Sequence, residues 1–254
     1  MNKREELIRL YNETSKHSNY QILPSRLAEI IVQDSLHVKT RFEKERMDYI
    51  CNNIDFHGKH VLDIGGNTGF FTFESYDSGA DKVKYVEGNK IHSDFVRKSV
   101  ELLGLFDSIQ VVNEYYSFQG QSSSERYDIV LLLNVLHHVG DDYGGSYERL
   151  DDAKRKIVDQ LNSIASMTDI IIFQLGFNWM GDRNHCLFNN GTKAEMIEYI
   201  TSGIDRKCRI DSIGIAEEKN GNIVYCNMDE RNILRNDRMG EFLNRPLFII
   251  KSDR

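Results

Sequence analysis

A glycine-rich turn that follows an apolar segment is the strongest indication of chemistry in this sequence. Positions 61–71 read Val-Leu-Asp-Ile-Gly-Gly-Asn-Thr-Gly-Phe-Phe, an apolar run, a turn and the start of an amphipathic segment. Glycines allow close approach of a ligand to the backbone, and the first N–H groups of a helix are free donors for it. The pattern predicts a ligand site, the alternative being a tight structural turn. The predicted contacts are Asp63, Gly65, Gly66, Asn67, Gly69 and Phe70.

An acidic residue ends the next apolar run about 20 positions after the glycines, at Glu87, and is followed by Gly88. A carboxylate there accepts hydrogen bonds from both ribose hydroxyls of an adenosine-containing ligand. A dinucleotide fingerprint starting at Gly65 would require glycines at 67 and 70, where the sequence has Asn67 and Phe70. A pyrophosphate would also lie unfavourably close to the carboxylate of Asp63, so a ligand with a cationic end fits better.

These two segments resemble the first two motifs of class I S-adenosylmethionine-dependent methyltransferases, and the resemblance covers roughly residues 55–175. It implies S-adenosylmethionine as the cofactor, with Asp63, Gly65 and Gly69 around its methionine part and Glu87 at its ribose. By the same resemblance, Glu114 and Tyr115 lie at the adenine edge. The family commonly has glycine where this chain has Asn67, which leaves the contact of that residue open.

Polar residues follow the fourth apolar run, in the sequence Asn134-Val-Leu-His137-His138-Val-Gly-Asp141-Asp142, which resembles the family's fourth motif. We expect Asn134 to contact the cofactor. Because methyl transfer to oxygen or nitrogen requires removal of a proton, His137 or His138 is the candidate general base. Either histidine could instead have a packing role. Asp141 is a candidate substrate-binding residue, and the acids with the histidines could alternatively bind a metal or be solvated; no metal is predicted.

The loop after the fifth apolar run combines aromatic and basic residues and contains the only tryptophan, Trp179. Loops at the carboxyl ends of strands commonly carry function. We predict that Trp179 walls an acceptor pocket and that Arg183, His185 and Lys193 recognise an anion such as phosphate or carboxylate. The alternative places Trp179 in the core, with Arg183 pairing with a neighbouring acid on the surface.

Short apolar runs alternate with amphipathic segments from residue 60 onwards, which predicts an α/β fold with a mostly parallel, doubly wound sheet. The seven strand candidates match the seven-stranded, Rossmann-like methyltransferase fold that the resemblance implies, with an antiparallel last strand. The predicted strands are Val61–Ile64, Val83–Val86, Ile109–Val112, Ile129–Leu133, Ile170–Phe173, Ile210–Ala216 and Leu247–Ile250. Capping boxes are predicted at Thr40 with Glu43 and at Thr192 with Glu195.

Residues 1–50 show helical patterning without a strand, so we predict an N-terminal helical extension followed by a methyltransferase domain at 51–254. Tyr20 lies in a polar-aromatic stretch of this extension. It is a candidate substrate contact in a segment that closes over the acceptor, or part of a loop that joins two helices.

The formal charge of −7 disfavours nucleic acid as a partner, because phosphate backbones bind basic surfaces. The four cysteines form no CxxC pair, which is typical of reduced thiols and predicts a cytoplasmic protein. No membrane span or secretory signal is predicted. The arginines Arg231, Arg235, Arg238 and Arg245 alternate with acids and are expected to form a solvated, salt-bridged face.

The resulting hypothesis is a methyltransferase acting on a small anionic acceptor, with O-methylation favoured over N-methylation. The chain resembles bacterial enzymes that modify sugars or phosphorylated precursors of surface polysaccharides. Three alternatives remain: a methyltransferase that modifies uridine in tRNA, an oxidoreductase that uses NAD, and a non-catalytic binding protein of the same fold. The sequence does not determine the oligomeric state.

Overall fold

The structure is a computed structural model that describes residues 3–13, 21–31, 36, 38, 40–118, 125–141, 143 and 149–252. The chain divides into two compact units, residues 1–116 and 117–254. The described helices before residue 50 belong to the first unit. The predicted domain boundary at residue 50 stays a prediction.

The described part of the first unit contains three parallel strands in the order β3-β2-β1 and five helices. The strands are β1 (His60–Ile64), β2 (Lys82–Val86) and β3 (Ile109–Val112), and the helices are α1 (Lys3–Asn12), α2 (Ser25–Ala28), α3 (Glu43–Asn53), α4 (Phe70–Asp77) and α5 (Lys90–Leu103). Helix α1 packs against α5, where the rings of Tyr11 and Phe95 lie 5.5 Å apart. Helix α1 is thereby held against α5 within the first unit.

In the second unit, the residues that the structure describes form five strands in the order β4-β5-β8-β6-β7. The strands are β4 (Tyr127–Leu133), β5 (Thr168–Gln174), β6 (Cys208–Lys219), β7 (Asn222–Asn227) and β8 (Leu247–Ser252), and the helices are α6 (Leu150–Ala165), α7 (Lys193–Gly203) and α8 (Gly240–Leu243). Strands β4 and β5 are parallel, whereas β8 is antiparallel to both β5 and β6. The centre of β4 is fully buried, as its uninterrupted apolar run predicts.

The predicted α/β class is confirmed, and all seven predicted strands are present. The described residues contain an eighth strand, β7, which the sequence analysis missed. It pairs antiparallel with β6 through a turn at Asn220 and Gly221, which have φ angles of 53° and 79°. Asn-Gly between two β-prone runs is a strong hairpin signal, so this strand was detectable from the sequence.

The two predicted capping boxes have different outcomes. Thr192 accepts a hydrogen bond from the Glu195 N–H and Glu195 accepts one from the Thr192 N–H, so the box that begins α7 is confirmed. The box at Thr40 is wrong, because α3 begins after Phe42, whose φ of 58° is left-handed. The hydroxyl of Thr40 instead donates to the Glu43 side chain.

No helix within the described residues is long and apolar enough to cross a membrane.

Candidate functional site

The turn between β1 and α4 has the backbone geometry that its glycines predict. Gly65, Asn67 and Gly69 adopt left-handed φ angles of 69°, 51° and 83°. Gly66 is required for a different reason, since a Cβ added there would lie 2.6 Å from the ring of Tyr85 and 2.9 Å from Asp63 Oδ2. The ring of Tyr85 and the carboxyl of Asp63 thus leave no room for a side chain at this position of the turn.

Asp63 lies near the carboxyl end of β1, where it is only 3% exposed. One of its oxygens accepts a 2.6 Å hydrogen bond from the hydroxyl of Thr72 on α4. The pKa of Asp63 is raised to about 7, chiefly by burial and with a smaller contribution from the negative charge of Glu87, while the hydrogen bond from Thr72 opposes the rise. The folded chain therefore holds a carboxyl group that gains or loses its proton near neutral pH and that a nearby positive charge would ionise.

Glu87 follows β2 and is 9% exposed. Since β1 and β2 are parallel with Asp63 opposite Tyr85, the two acids stand at neighbouring strand ends. The Glu87 carboxylate accepts hydrogen bonds from the N–H of Asn67 at 3.0 Å and from the N–H of Asn89 at 2.7 Å. It thus links the glycine-rich turn to the start of α5.

The end of β3 contributes a second contact to this region. The ring of Tyr115 lies against Gly88, where an added Cβ would be 2.5 Å from the ring. Tyr115 is half exposed and Glu114 is exposed. Asn113 was not predicted, and its side-chain amide donates to the backbone carbonyls of Glu87 and Gly88 at 2.9 and 3.2 Å.

Gln21 is a residue that the sequence analysis missed. Its amide oxygen accepts a hydrogen bond of 3.1 Å from the N–H of Phe70, the first residue of α4, and one of 3.4 Å from the hydroxyl of Thr68. The backbone carbonyl of Gln21 in turn accepts a hydrogen bond from the hydroxyl of Tyr11. A contact between positions 21 and 70 has no local sequence signal. Tyr20, the neighbouring predicted contact, lies outside the described residues.

In the second unit, Asn134 follows β4 with a left-handed φ of 61°. Its side-chain oxygen accepts a 2.7 Å hydrogen bond from Arg245, and its amide nitrogen donates to the side-chain oxygen of Gln174 at 2.9 Å. Arg245 is 8% exposed and forms a two-pronged ion pair with Glu241. The expectation that Arg245 lies on a solvated face is wrong, because its guanidinium is buried against Asn134 and Glu241.

The two candidate histidines occupy a short 3-10 turn at Leu136–His138, with their ring centroids 4.3 Å apart. His137 is 4% exposed, and its Nδ1 accepts a 3.3 Å hydrogen bond from the N–H of Gly176. The side chain of His138 is 15% exposed, and its Nδ1 lies 4.0 Å from a carboxylate oxygen of Asp141. Both rings therefore belong to one cluster but differ in exposure and in hydrogen bonding.

The loop after β5 places its predicted residues in contrasting environments. Trp179 is 6% exposed, and its indole N–H donates to the carbonyl of Val139 at 2.7 Å. This burial agrees with the alternative that Trp179 packs in the core. Arg183 and His185 are exposed, and His185 Nδ1 lies 3.0 Å from Asp182 Oδ2.

Lys193 does not join the exposed cations of this loop, contrary to the expectation that it recognises an anion with them. It is 2% exposed, and its ammonium donates to the backbone carbonyls of Asn232 and Leu234, both at 2.9 Å. Burial and the charge of Arg235 lower the pKa of Lys193. Within the described residues, no group of three or more histidine, cysteine or acidic side chains is arranged to hold a metal ion.

No protein-family model and no curated protein matches the chain. Solved structures match it at low sequence identity. SMU.776, described as a methyltransferase and solved with SAH, has a TM-score of 0.55 and 14% identity over 85% of this chain and 52% of its own. The bifunctional kinase-methyltransferase WbdD has a TM-score of 0.54 and 14% identity over 97% of this chain and 46% of its own.

A protein from Streptococcus mutans, described as a SAM-dependent methyltransferase, has a TM-score of 0.51 and 15% identity over 82% of this chain and 48% of its own. The chain thus spans about half the length of each of these three proteins. Such similarity identifies the fold. The chain has the Rossmann-like α/β fold of S-adenosylmethionine-dependent methyltransferases.

Proposed function

We propose that this protein is an S-adenosylmethionine-dependent methyltransferase that acts on a small anionic acceptor. The observation that carries the proposal is the placement of Asp63 and Glu87 at the ends of two neighbouring parallel strands, on either side of a glycine-rich turn. In open α/β sheets, ligands bind outside the carboxyl ends of the strands, next to such a turn.

The residues of the first unit fit the chemistry of this cofactor. A buried carboxyl with a pKa of about 7, as Asp63 has, suits a ligand with a cationic end, because the positive charge stabilises the ionised form. Glu87 places a carboxylate where ribose hydroxyls would bind, and Gly65 and Gly69 add no side chain to the left-handed backbone of the turn. When bound, S-adenosylmethionine supplies an electrophilic methyl group on a sulfonium that departs as a neutral thioether.

The remaining chemistry is the removal of a proton from the acceptor hydroxyl, and His138 is the better candidate for it. Because His137 Nδ1 accepts from the Gly176 N–H, the neutral ring of His137 carries its proton on Nε2 and has no free nitrogen lone pair. His138 is more exposed than His137, and its Nδ1 lies 4.0 Å from a carboxylate oxygen of Asp141. We therefore infer that Nε2 of His138 takes the acceptor proton, with His137 supporting the ring of His138.

We propose that the acceptor is a sugar, a nucleotide-linked compound or a phosphorylated precursor of a surface polysaccharide. Arg183 is exposed on the loop after β5, where its guanidinium would receive an anionic group, and His185 lies exposed nearby with its Nδ1 next to Asp182. Methylation at oxygen is favoured because a single imidazole base suffices to activate a hydroxyl. A cytoplasmic location remains the prediction made from the cysteines.

The test is calorimetric titration of the protein with S-adenosylmethionine and with S-adenosylhomocysteine. We expect both to bind, and we expect Asp63→Asn and Glu87→Gln to raise the dissociation constant about tenfold or more, as loss of a hydrogen bond to a charged group does. The matched control is Asp107→Asn, an exposed carboxyl just before β3, which should bind like the wild type. Failure of the wild type to bind either compound at millimolar concentration would refute the proposal.

The alternatives are tested alongside. Tight, salt-sensitive retardation of bulk tRNA in a gel would favour an RNA acceptor over a small molecule. A change in nicotinamide fluorescence on mixing with NADH would favour an oxidoreductase. If the double variant His137→Ala and His138→Ala transferred methyl groups as fast as the wild type, the histidine base would be wrong and the cofactor assignment would stand.

A further inference from the structure

The ion pair of Glu241 and Arg245 lies just before β8, far along the chain from the histidine motif. The Nε and Nη2 groups of Arg245 donate to the two oxygens of Glu241 at 3.0 and 2.6 Å. Its Nη1 donates to Asn134 Oδ1 at 2.7 Å. The guanidinium thereby joins α8 to the end of β4 through charge-assisted hydrogen bonds, which are the strongest kind in proteins.

A closed ring of hydrogen bonds fixes the side chain of Asn134. Its amide nitrogen donates to Gln174 Oε1 at 2.9 Å, and the amide nitrogen of Gln174 donates to the backbone carbonyl of Arg245 at 3.0 Å. Gln174 is completely buried. The left-handed backbone at Asn134, where φ is 61°, is thus held by partners on β5 and before β8, and it sets the direction in which the chain enters the histidine turn.

A second branch runs from the same ion pair to His137. Glu241 Oε1 also accepts a 3.1 Å hydrogen bond from the N–H of Phe177. The preceding residue, Gly176, donates its N–H to His137 Nδ1 at 3.3 Å. Gly176 lies so close to this ring that an added Cβ would be 2.8 Å from it. The carboxylate of Glu241 therefore holds the peptide between Gly176 and Phe177 in place. This in turn positions the Gly176 N–H, whose hydrogen bond to Nδ1 selects the tautomer of His137.

From these contacts we propose that Glu241 and Arg245 are positioning residues that together set the side chain of Asn134 and the orientation and tautomer of the His137 ring. The proposal deepens the methyltransferase function and rests on it for its catalytic meaning. This positioning depends on the geometry of the arginine side chain and not on its charge alone. The planar guanidinium donates to Glu241 and to Asn134 at the same time, whereas a lysine ammonium in its place cannot make the same set of hydrogen bonds.

The experiment is a long-range ¹H–¹⁵N spectrum of the histidine rings in ¹⁵N-labelled protein, in which His137→Gln identifies the His137 signals. In the wild type we expect the pattern of a neutral ring protonated at Nε2. We expect Glu241→Gln and Arg245→Met to shift the Nδ1 and Nε2 signals of His137. Arg245→Lys should shift the His137 signals as Arg245→Met does, because lysine keeps the positive charge but cannot donate to Glu241 and Asn134 together.

The matched control is Arg231→Met, which breaks an exposed arginine–aspartate pair of the same C-terminal region and should leave the His137 signals unchanged. Circular dichroism verifies that each variant is folded. If Arg245→Met does not fold, Arg245→Lys and Glu241→Gln decide the question. Wild-type positions of the His137 signals in the folded variants, or full restoration by lysine, would overturn the inference.

This readout needs no ligand, so its failure is distinguishable from that of the proposed function. A wild-type protein that fails to bind S-adenosylhomocysteine would refute the proposed function. The shift of the His137 signals decides the positioning role in either case.

Discussion

Replacing Asp63 by asparagine should stabilise the protein while it removes the charge that the cofactor needs. Asparagine keeps the shape of the side chain and an oxygen that accepts from Thr72, but it does not ionise. Burial raises the pKa of Asp63 from its ordinary value of 3.8 to about 7. Since one pKa unit corresponds to about 1.4 kcal/mol, ionised Asp63 costs the folded chain roughly 4 kcal/mol above pH 7, as an upper bound.

The direction in which the free energy of unfolding changes with pH depends on whether the folded or the unfolded state binds more protons. Between pH 4 and 7, roughly, the folded state keeps the Asp63 proton and the unfolded state has lost it, so the wild-type free energy of unfolding falls as pH rises. The fall is complete above the folded pKa. The asparagine variant lacks this contribution, so its stability relative to the wild type should increase by about 2.5 kcal/mol between pH 5 and pH 8.

The assay is urea unfolding followed by circular dichroism at both pH values, for wild type and variant. Asp48→Asn is the matched control, because Asp48 is an exposed carboxyl on α3, and its substitution should change stability by less than about 0.5 kcal/mol at either pH. If the advantage of Asp63→Asn were the same at pH 5 and pH 8, the buried carboxyl would not titrate as the structure implies.

Three further substitutions test other parts of the structure. Gly66→Ala should destabilise the protein by about 1–3 kcal/mol in urea unfolding, because the new Cβ meets the ring of Tyr85; an unchanged midpoint would show that the turn adapts. Gln21→Ala should lower the free energy of unfolding by about 1 kcal/mol, because the N–H of Phe70 loses its hydrogen-bond partner. Faster amide hydrogen exchange at Phe70 would report this loss directly. Trp179→Phe should lower the free energy of unfolding by about 2 kcal/mol, because a backbone carbonyl loses its buried donor; a change under 0.5 kcal/mol in calorimetry would contradict a structural role for this side chain.

Local sequence was sufficient for seven of the eight described strands and for the glycine-rich turn. The apolar run Ile129–Leu132 forms a strand buried on both faces, and left-handed turns favour glycine and asparagine. Parallel pairing of consecutive strands then brings Asp63 and Glu87 to neighbouring strand ends, as the spacing of the two motifs predicts.

Tertiary structure decided the partners of residues that are distant in sequence. Arg245 contacts Asn134 across 111 positions, and Gln21 reaches Phe70 across 49, distances over which no periodicity carries information. Burial likewise separated Lys193 from the exposed Arg183, although both are cations of the same region. Composition and spacing determine which side chains follow each strand. The contacts of such a side chain, with solvent, a backbone carbonyl or another chain segment, depend on packing that forms only when the whole unit folds.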